Sequence, residues 1–297
     1  MKPSFGVIVV IPVGPNSVIE FVKDTVESFT FYTGSSYKII FVDDSHQGLG
    51  NQLKNIFPET DIIRSEKPMG GWAGLYLMLA RAFHHALDNY HFDVLLKLDT
   101  DALVIGSYPE QEALNLFKTD PGTGIAGQYP NDYDGNPWDI GWPRDRVLNG
   151  ATTWRFIKRP IANIFLRKEY LKAIKNGYRA GESVFGGAYF MSKALLVALA
   201  QNRSLPNYNF RTLNMGEDHI FGLLAKAVGF HLGDLSSGSL PFACAWKGLP
   251  ASPEELMKKG KKIIHSTRNW QNLKEEEIRK WFKEKRSKHS KPSVASA

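Results

Sequence analysis

The chain of 297 residues has one cysteine, Cys244, so no intramolecular disulfide can staple it. That usage fits a reducing compartment, and the expected location is cytoplasmic. No stretch approaches the ~20 apolar residues that a membrane-spanning helix needs. The apolar run 7–13 is short, lacks a small-residue cleavage pattern and is broken by Pro12, so it reads as a first strand and not as a signal sequence. Two nucleotide-binding signatures are missing as well: no G-x-G-x-x-G follows that strand, and no Gly-Lys-Ser/Thr closes a phosphate loop. The body of the chain also lacks a surplus of positive charge. Of the net charge of +7, residues 258–291 carry thirteen Lys/Arg against four Glu, which leaves the rest slightly negative. No nucleic-acid partner is expected, and the basic C-terminal tail is a candidate for peripheral membrane contact.

At 43% hydrophobic, the chain can bury a sizeable core as one large domain or two fused lobes. A β-rich run over 5–13 is followed by turn residues, a helix over 18–30 and a second strand over 37–42 that stops at Asp43-Asp44-Ser45. Strand, helix, strand at this spacing is a parallel βαβ unit. Ligands collect at the carboxyl ends of strands in open α/β sheets, so Pro12 and Val13 share a candidate nucleotide-binding edge with Asp43 and Asp44. Capping is the alternative role for those two acids. A helix opening at 48–51 and a short strand over 62–64 come next. The loop 67–72 then brings Gly70 and Gly71 ahead of a helix over 73–87, where backbone N–H groups can approach a phosphate.

An apolar strand starting at Phe92 ends in Asp99-Thr100-Asp101 and resumes as Ala102-Leu103-Val104. Burying charge is costly, so acids in such a run usually serve a purpose. Two carboxylates one residue apart at a strand end can both reach a divalent cation that bridges phosphate oxygens, and a turn with solvated acids is the alternative. Residues 120–149 are rich in Gly, Pro, Asp, Asn and Trp, and Pro130, Pro137 and Pro143 are expected to break any regular element there. Trp138, Trp142, Tyr129 and Tyr133 in that stretch either stack on a sugar or cover the core. Residues 155–178 read as irregular structure leading into a basic helix. Gly186-Gly187 then precedes an apolar strand, and Ser192 starts a helix over 193–200.

Gly216-Glu217-Asp218-His219 places three ionisable groups at the head of an apolar helix. Capping explains one of them; a carboxylate beside a pocket can also take a proton from an attacking hydroxyl while its neighbour holds substrate. A final strand over 261–266 delivers His265. Beyond Trp270 comes a charged helix with Ile278, Trp281 and Phe282 on one stripe, then a Lys/Ser tail.

This order of features resembles the GT-A class of nucleotide-sugar glycosyltransferases, nearest to the large family 2. It runs from the first strand through Val42-Asp43-Asp44-Ser45, the Asp99/Asp101 pair, Gly186-Gly187 and Gly216-Glu217-Asp218 to His265. The resemblance implies an α/β GT-A fold, Rossmann-like, with a mixed, mostly parallel sheet flanked by helices and two abutting subregions in one domain. Residues 1–106 would be the nucleotide-sugar half, 107–270 the acceptor-binding and catalytic half, and 271–297 a basic helix and flexible tail. The implied donor-binding set is Pro12, Val13, Asp43, Asp44, Gly71, Lys97, Asp99 and Thr100, with Lys97 adding positive charge near the phosphates. Asp99, Asp101 and His265 would hold Mn²⁺ or Mg²⁺, Asp218 would be the catalytic base and Glu217 would contact a sugar. The implied reaction moves a sugar from a UDP- or GDP-type donor to a hydroxyl of a saccharide, lipid-linked or small-molecule acceptor, with inversion; a retaining member would use the same metal pair without Asp218 as base. A sugar nucleotidyltransferase would carry a glycine-rich, Arg-containing loop after the first strand, where this chain has Pro12-Val13-Gly14-Pro15-Asn16-Ser17. A non-catalytic sugar-nucleotide or glycan binder would have no need of Glu217-Asp218-His219.

Overall fold

The computed structural model describes residues 1–153, 159–288 and 290–291. Residues 155–158 of the stretch expected to be irregular, and the end of the Lys/Ser tail, lie outside the described residues.

The first third alternates strand and helix: β1 (Ser4–Val13), α1 (Ile19–Tyr32), β2 (Tyr37–Asp43), α2 (Leu49–Ile56), β3 (Asp61–Arg64), α3 (Ala73–Asn89) and β4 (His91–Leu98). After the acidic turn come β5 (Ala102–Val104), α4 (Pro109–Thr119), β6 (Thr123–Gly127), α5 (Gly141–Ala151), α6 (Pro160–Lys175), β7 (Ala188–Ser192) and α7 (Lys193–Gln201). A 3₁₀ turn over Tyr208–Thr212 leads into α8 (Glu217–Ala227), β8 (His231–Asp234), β9 (Phe242–Cys244), α9 (Pro253–Lys258) and β10 (Ile263–His265). The short β11 (Asn269–Trp270) and β12 (Leu273–Lys274) pair ahead of α10 (Glu275–Ser287).

Seven strands form the main sheet in the order β3-β2-β1-β4-β7-β6-β8, and β7 runs antiparallel to both its neighbours while the other pairings are parallel. This is the α/β, mixed and mostly parallel sheet flanked by helices that the GT-A resemblance implies. β1 shows why the sequence runs apolar without alternation. Ile8 and Val10 pack with α3 residues such as Tyr76 and Leu79 on one face, while Val7, Val9 and Ile11 pack with Val22, Val26 and Phe29 of α1 on the other. Each such burial contributes about 1.5–3 kcal/mol, so a central strand covered on both sides tolerates no polar face.

A second, three-stranded sheet, β5-β10-β9, lies against α10. Ile278 and Phe282 of the expected stripe are buried there with Leu103, Ile105 and Ile264, and Trp281 packs at the margin.

Two expectations need correction. Residues 120–149 are not one irregular loop, since they contain β6 and most of α5. β6 is a short Thr-Gly-Ile-Ala-Gly strand whose identity comes from pairing between β7 and β8, not from local propensity. Pro143 lies in the first turn of α5, where its missing N–H is no loss. Nor is the strand bearing His265 the last one, because β11 and β12 follow it.

Candidate active site

β4 runs through the sheet centre and ends at Leu98, and the chain then turns sharply. Ala102 N–H donates to the Asp99 carbonyl at 3.0 Å, and Asp99 N–H donates to the Gly187 carbonyl at 3.0 Å. The turn leads into β5, whose Ala102 is registered opposite His265 on antiparallel β10. That pairing carries a histidine from late in the chain to the two aspartates, and one ligand atom from each of Asp99, Asp101 and His265 lies within 4.8 Å of the others.

His265 Nε2 lies 3.2 Å from Asp101 Oδ1 and 4.0 Å from Asp99 Oδ2. Its Nδ1 faces the Ala245 carbonyl at 3.1 Å. A carbonyl only accepts, so Nδ1 carries a proton and Nε2 is the nitrogen turned toward the two carboxylates; an Nδ1–H held by a carbonyl is how metal-bound imidazoles are oriented. Burial alone would raise the Asp101 pKa, but His265 and the Arg268 guanidinium hold it well below the usual carboxylate range. Asp99 is shifted upward by burial, with Asp101 adding to the rise and Lys97 opposing it. Buried Asp101 Oδ2 has no hydrogen-bond partner; Arg268 Nε, 2.9 Å away, meets it as an ion pair only. Two carboxylates and the Nε2 of an imidazole, with one buried carboxylate oxygen free of hydrogen bonds, are a fitting donor set for Mn²⁺ or Mg²⁺.

Gly187 has to be glycine here, since a Cβ on it would lie 2.4 Å from Cγ of His265. Its neighbour Gly186 receives Lys97 Nζ on its carbonyl. Lys97 corrects the sequence reading: it is fully buried, and its ammonium lies 2.6 Å from Asp99 Oδ1 and 3.3 Å from Glu217 Oε1. It therefore acts as an internal counter-charge to two acids of the site and does not present its charge to the cavity. Burial would depress the lysine, but Asp99 and Glu217 overcome that and hold it above its ordinary value.

Glu217 and Asp218 open α8. Glu217 is buried and its pKa is pushed up to about 7, first by burial and then by Asp218 and Asp99, against the pull of Lys97. Asp218 Oδ1 lies 3.9 Å from His219 Nε2, whose Nδ1 pairs with Ser183 Oγ at 2.7 Å. A cavity of about 570 Å³ has Asp99, Gly187, Glu217, Asp218 and His265 on its wall. Tryptophans complete it: Trp72 and Trp142 stand 5.0 Å apart between ring centroids, Trp138 packs edge-on to Phe185, and Trp246 is 72% exposed.

The remaining donor-set residues lie elsewhere. Asp43 is buried and accepts from Ser45 N–H, Ser45 Oγ, Gly50 N–H and Arg64; burial raises its pKa, and these bonds more than reverse the shift. Asp44 accepts from Met69 and Gly70 N–H, both at 2.8 Å. Both acids thus organise the loops at the carboxyl edge, and with Arg64 they line a separate cavity of about 200 Å³. Pro12 is half-buried at the end of β1, and the Val13 side chain belongs to the core, leaving only its backbone toward that edge. Gly71 borders another cavity, of about 410 Å³, and the Thr100 carbonyl points inward to Thr25 and Arg279. Trp246, Arg268 and Arg279 escaped sequence reasoning, because nothing local marks them. Lys97 did carry a signal: a lysine in a strand buried on both faces needs a partner on its own face, and the residue two positions on is Asp99.

Fold and site together define an α/β protein with an acid-and-histidine centre beside a carboxylate pair. No family model and no curated protein matches this chain. Among solved structures it is similar to Staphylococcus aureus TarS 1–349, with 13% identity, a TM-score of 0.44, and coverage of 78% of this chain and 58% of that one. It is similar to the mannosyltransferase PcManGT from Pyrobaculum calidifontis, solved with GDP-Man and Mn²⁺, with 10% identity, a TM-score of 0.43 and coverage of 80% and 57%. A third is the bifunctional glycosyltransferase WbbM in its apo form, with 11% identity, a TM-score of 0.49 and coverage of 96% and 52%. The chain spans a little over half the length of these structures.

Proposed function

We propose that the protein is a divalent-metal-dependent glycosyltransferase that moves a sugar from a UDP- or GDP-type donor to an acceptor hydroxyl, with inversion. The observation that carries this reading is the cavity whose wall holds Asp99 and His265, two members of the donor set that Asp101 completes, together with the Glu217/Asp218 pair. Transfer breaks the bond between the anomeric carbon and the diphosphate oxygen and forms a bond to the acceptor oxygen, so one end needs positive charge and the other a proton acceptor. Asp99, Asp101 and His265 would hold the cation, which would supply Lewis acidity to the leaving diphosphate.

The protein's own residues supply the rest. Asp218 takes the hydroxyl proton, and buried Lys97 steadies Asp99 and Glu217 against each other's charge. Arg268, beside Asp101 at the cavity wall, adds a cation on the donor side. The tryptophans offer flat apolar faces to a saccharide. A mere binder has no need of the Glu217-Asp218-His219 cluster on the cavity wall, which favours catalysis over the non-catalytic alternative.

The test is a thermal-shift screen of nucleotides and nucleotide sugars with and without Mn²⁺, followed by turnover assays on the stabilising donor. Asp101→Ala should abolish metal-dependent turnover with the fold intact. Asp218→Asn should lose transfer and keep donor binding. Unchanged turnover in Asp101→Ala would sink the central assignment, and lost donor binding in Asp218→Asn would remove that residue from the base role.

A further inference from the structure

We infer that Glu275 and Arg279 on α10 are positioning residues for the cation site, because they tie together the two loops that carry its ligands. The inference rests on the metal-site reading above. Arg279 Nη2 donates to the Thr100 carbonyl, between the two aspartates, at 2.6 Å. On the other loop, two residues past His265, the Thr267 N–H and hydroxyl reach the Asp101 carbonyl at 2.8 and 3.0 Å. The same hydroxyl lies 3.0 Å from Glu275 Oε1, which in turn receives Arg279 Nε at 2.9 Å. A closed circuit results: Thr100 carbonyl, Arg279, Glu275, Thr267, Asp101 carbonyl.

Docking α10 through Ile278 and Phe282 does not require this circuit. Arg279 is 4% exposed, and desolvating a guanidinium is costly unless it finds acceptors. Here each of its three nitrogens does. Besides Thr100 and Glu275, Nη1 reaches the Phe21 carbonyl at 3.2 Å, Asp24 Oδ2 at 3.2 Å and Thr25 Oγ1 at 3.3 Å. Thr25 Oγ1 itself donates toward the Thr100 and Ala102 carbonyls, so α1 buttresses the same turn. Only a planar fork serves acceptors on three sides at once; a lysine has the charge without the geometry. Neither Glu275 nor Arg279 lines the cavity, so their effect on the cation passes through the backbone of the ligand loops.

Arg286 supplies an internal control. It also pairs with Asp24, through Nη2 at 2.7 Å, and is buried on the same helix, yet among the described residues it bonds to neither loop. Mn²⁺ is titrated into the wild-type chain and into Arg279→Lys, Glu275→Gln and Arg286→Lys, with affinity read by calorimetry or by loss of the free-Mn²⁺ electron paramagnetic resonance signal. Melting temperature is recorded for each protein. Loss of a residue that orients a metal's ligands typically weakens affinity ~10–100-fold. That loss is expected for Arg279→Lys and Glu275→Gln, while Arg286→Lys binds as wild type even where its melting temperature drops as far. Wild-type affinity in Arg279→Lys, or an equal loss in Arg286→Lys, overturns the inference. A wild type that binds neither Mn²⁺ nor Mg²⁺, alone or with UDP or GDP, overturns the metal-site reading and this inference with it, a result distinct from binding that survives the substitution.

Discussion

Glu217→Gln should make the metal-free protein more stable at pH 8 while abolishing transfer. The folded state holds the Glu217 proton up to about pH 7 because burial, Asp218 and Asp99 together outweigh Lys97. The unfolded chain releases it near its ordinary value of 4.5. Between those two values the folded state binds more protons than the unfolded one, so wild-type stability falls as pH rises through the window. Above pH 7 the loss is complete, and the shift of two to three pK units corresponds to roughly 3 kcal/mol. Glutamine keeps the shape without the charge and does not incur this cost. The variant should therefore match wild type near pH 4.5 and exceed it by roughly 3 kcal/mol at pH 8, several degrees in melting temperature for a chain of this size. Urea melts of both proteins in chelator, from pH 4.5 to 8.5, read the difference directly. A gap that does not change with pH, or a variant less stable than wild type at pH 8, would refute the reasoning and show that the Lys97 pairing dominates at this site.

Two more substitutions probe the frame around the site. Gly187→Ala sets a methyl against the His265 ring where a Cβ has 2.4 Å of room; it should cost about 1–3 kcal/mol by overpacking and weaken Mn²⁺ binding, and calorimetry finding wild-type affinity would show that the loops yield. Asp61 accepts hydrogen bonds from Lys38, His85 and Tyr90; burial pushes its pKa up, but these partners hold it well below the usual range. Its contribution is present above the unfolded-state value of 3.8 and is lost as pH falls below it. Asp61→Asn should thus cost about 1 kcal/mol at pH 7 after allowance for solvent screening and roughly half of that at pH 2.5, as urea titrations at both pH values would show.

How much of this was legible beforehand differs by region. β1, β2 and β4 are apolar runs of strand length, and their ends stand out because acids or turn residues interrupt them. α3, α7 and α8 likewise announce themselves, by helical spacing, by the Ser192 cap that accepts from Leu195 N–H, and by acids in a first turn. β6 and α5 did not. Their residues are weak formers of any element, and their conformation follows from neighbours supplied by distant parts of the chain. At the site, residue types that hold metals and move protons were readable, but their facing partners were not. Lys97 reaching Glu217, Asp43 spent on Ser45, Gly50 and Arg64, and Arg279 beneath Thr100 are all matters of packing.

By itself, the sequence determined where strands stop and which chemistry waits at their ends, because burial patterning and turn residues act over a few positions. Only the tertiary structure decided that His265 meets Asp101 through the β5–β10 register, that Gly187 must lack a side chain to admit the imidazole, and that α10 braces the turn. The physical reason is that a charge in a low-dielectric interior takes its properties from whatever lies within a few ångströms, and in this fold those neighbours come from the far end of the chain.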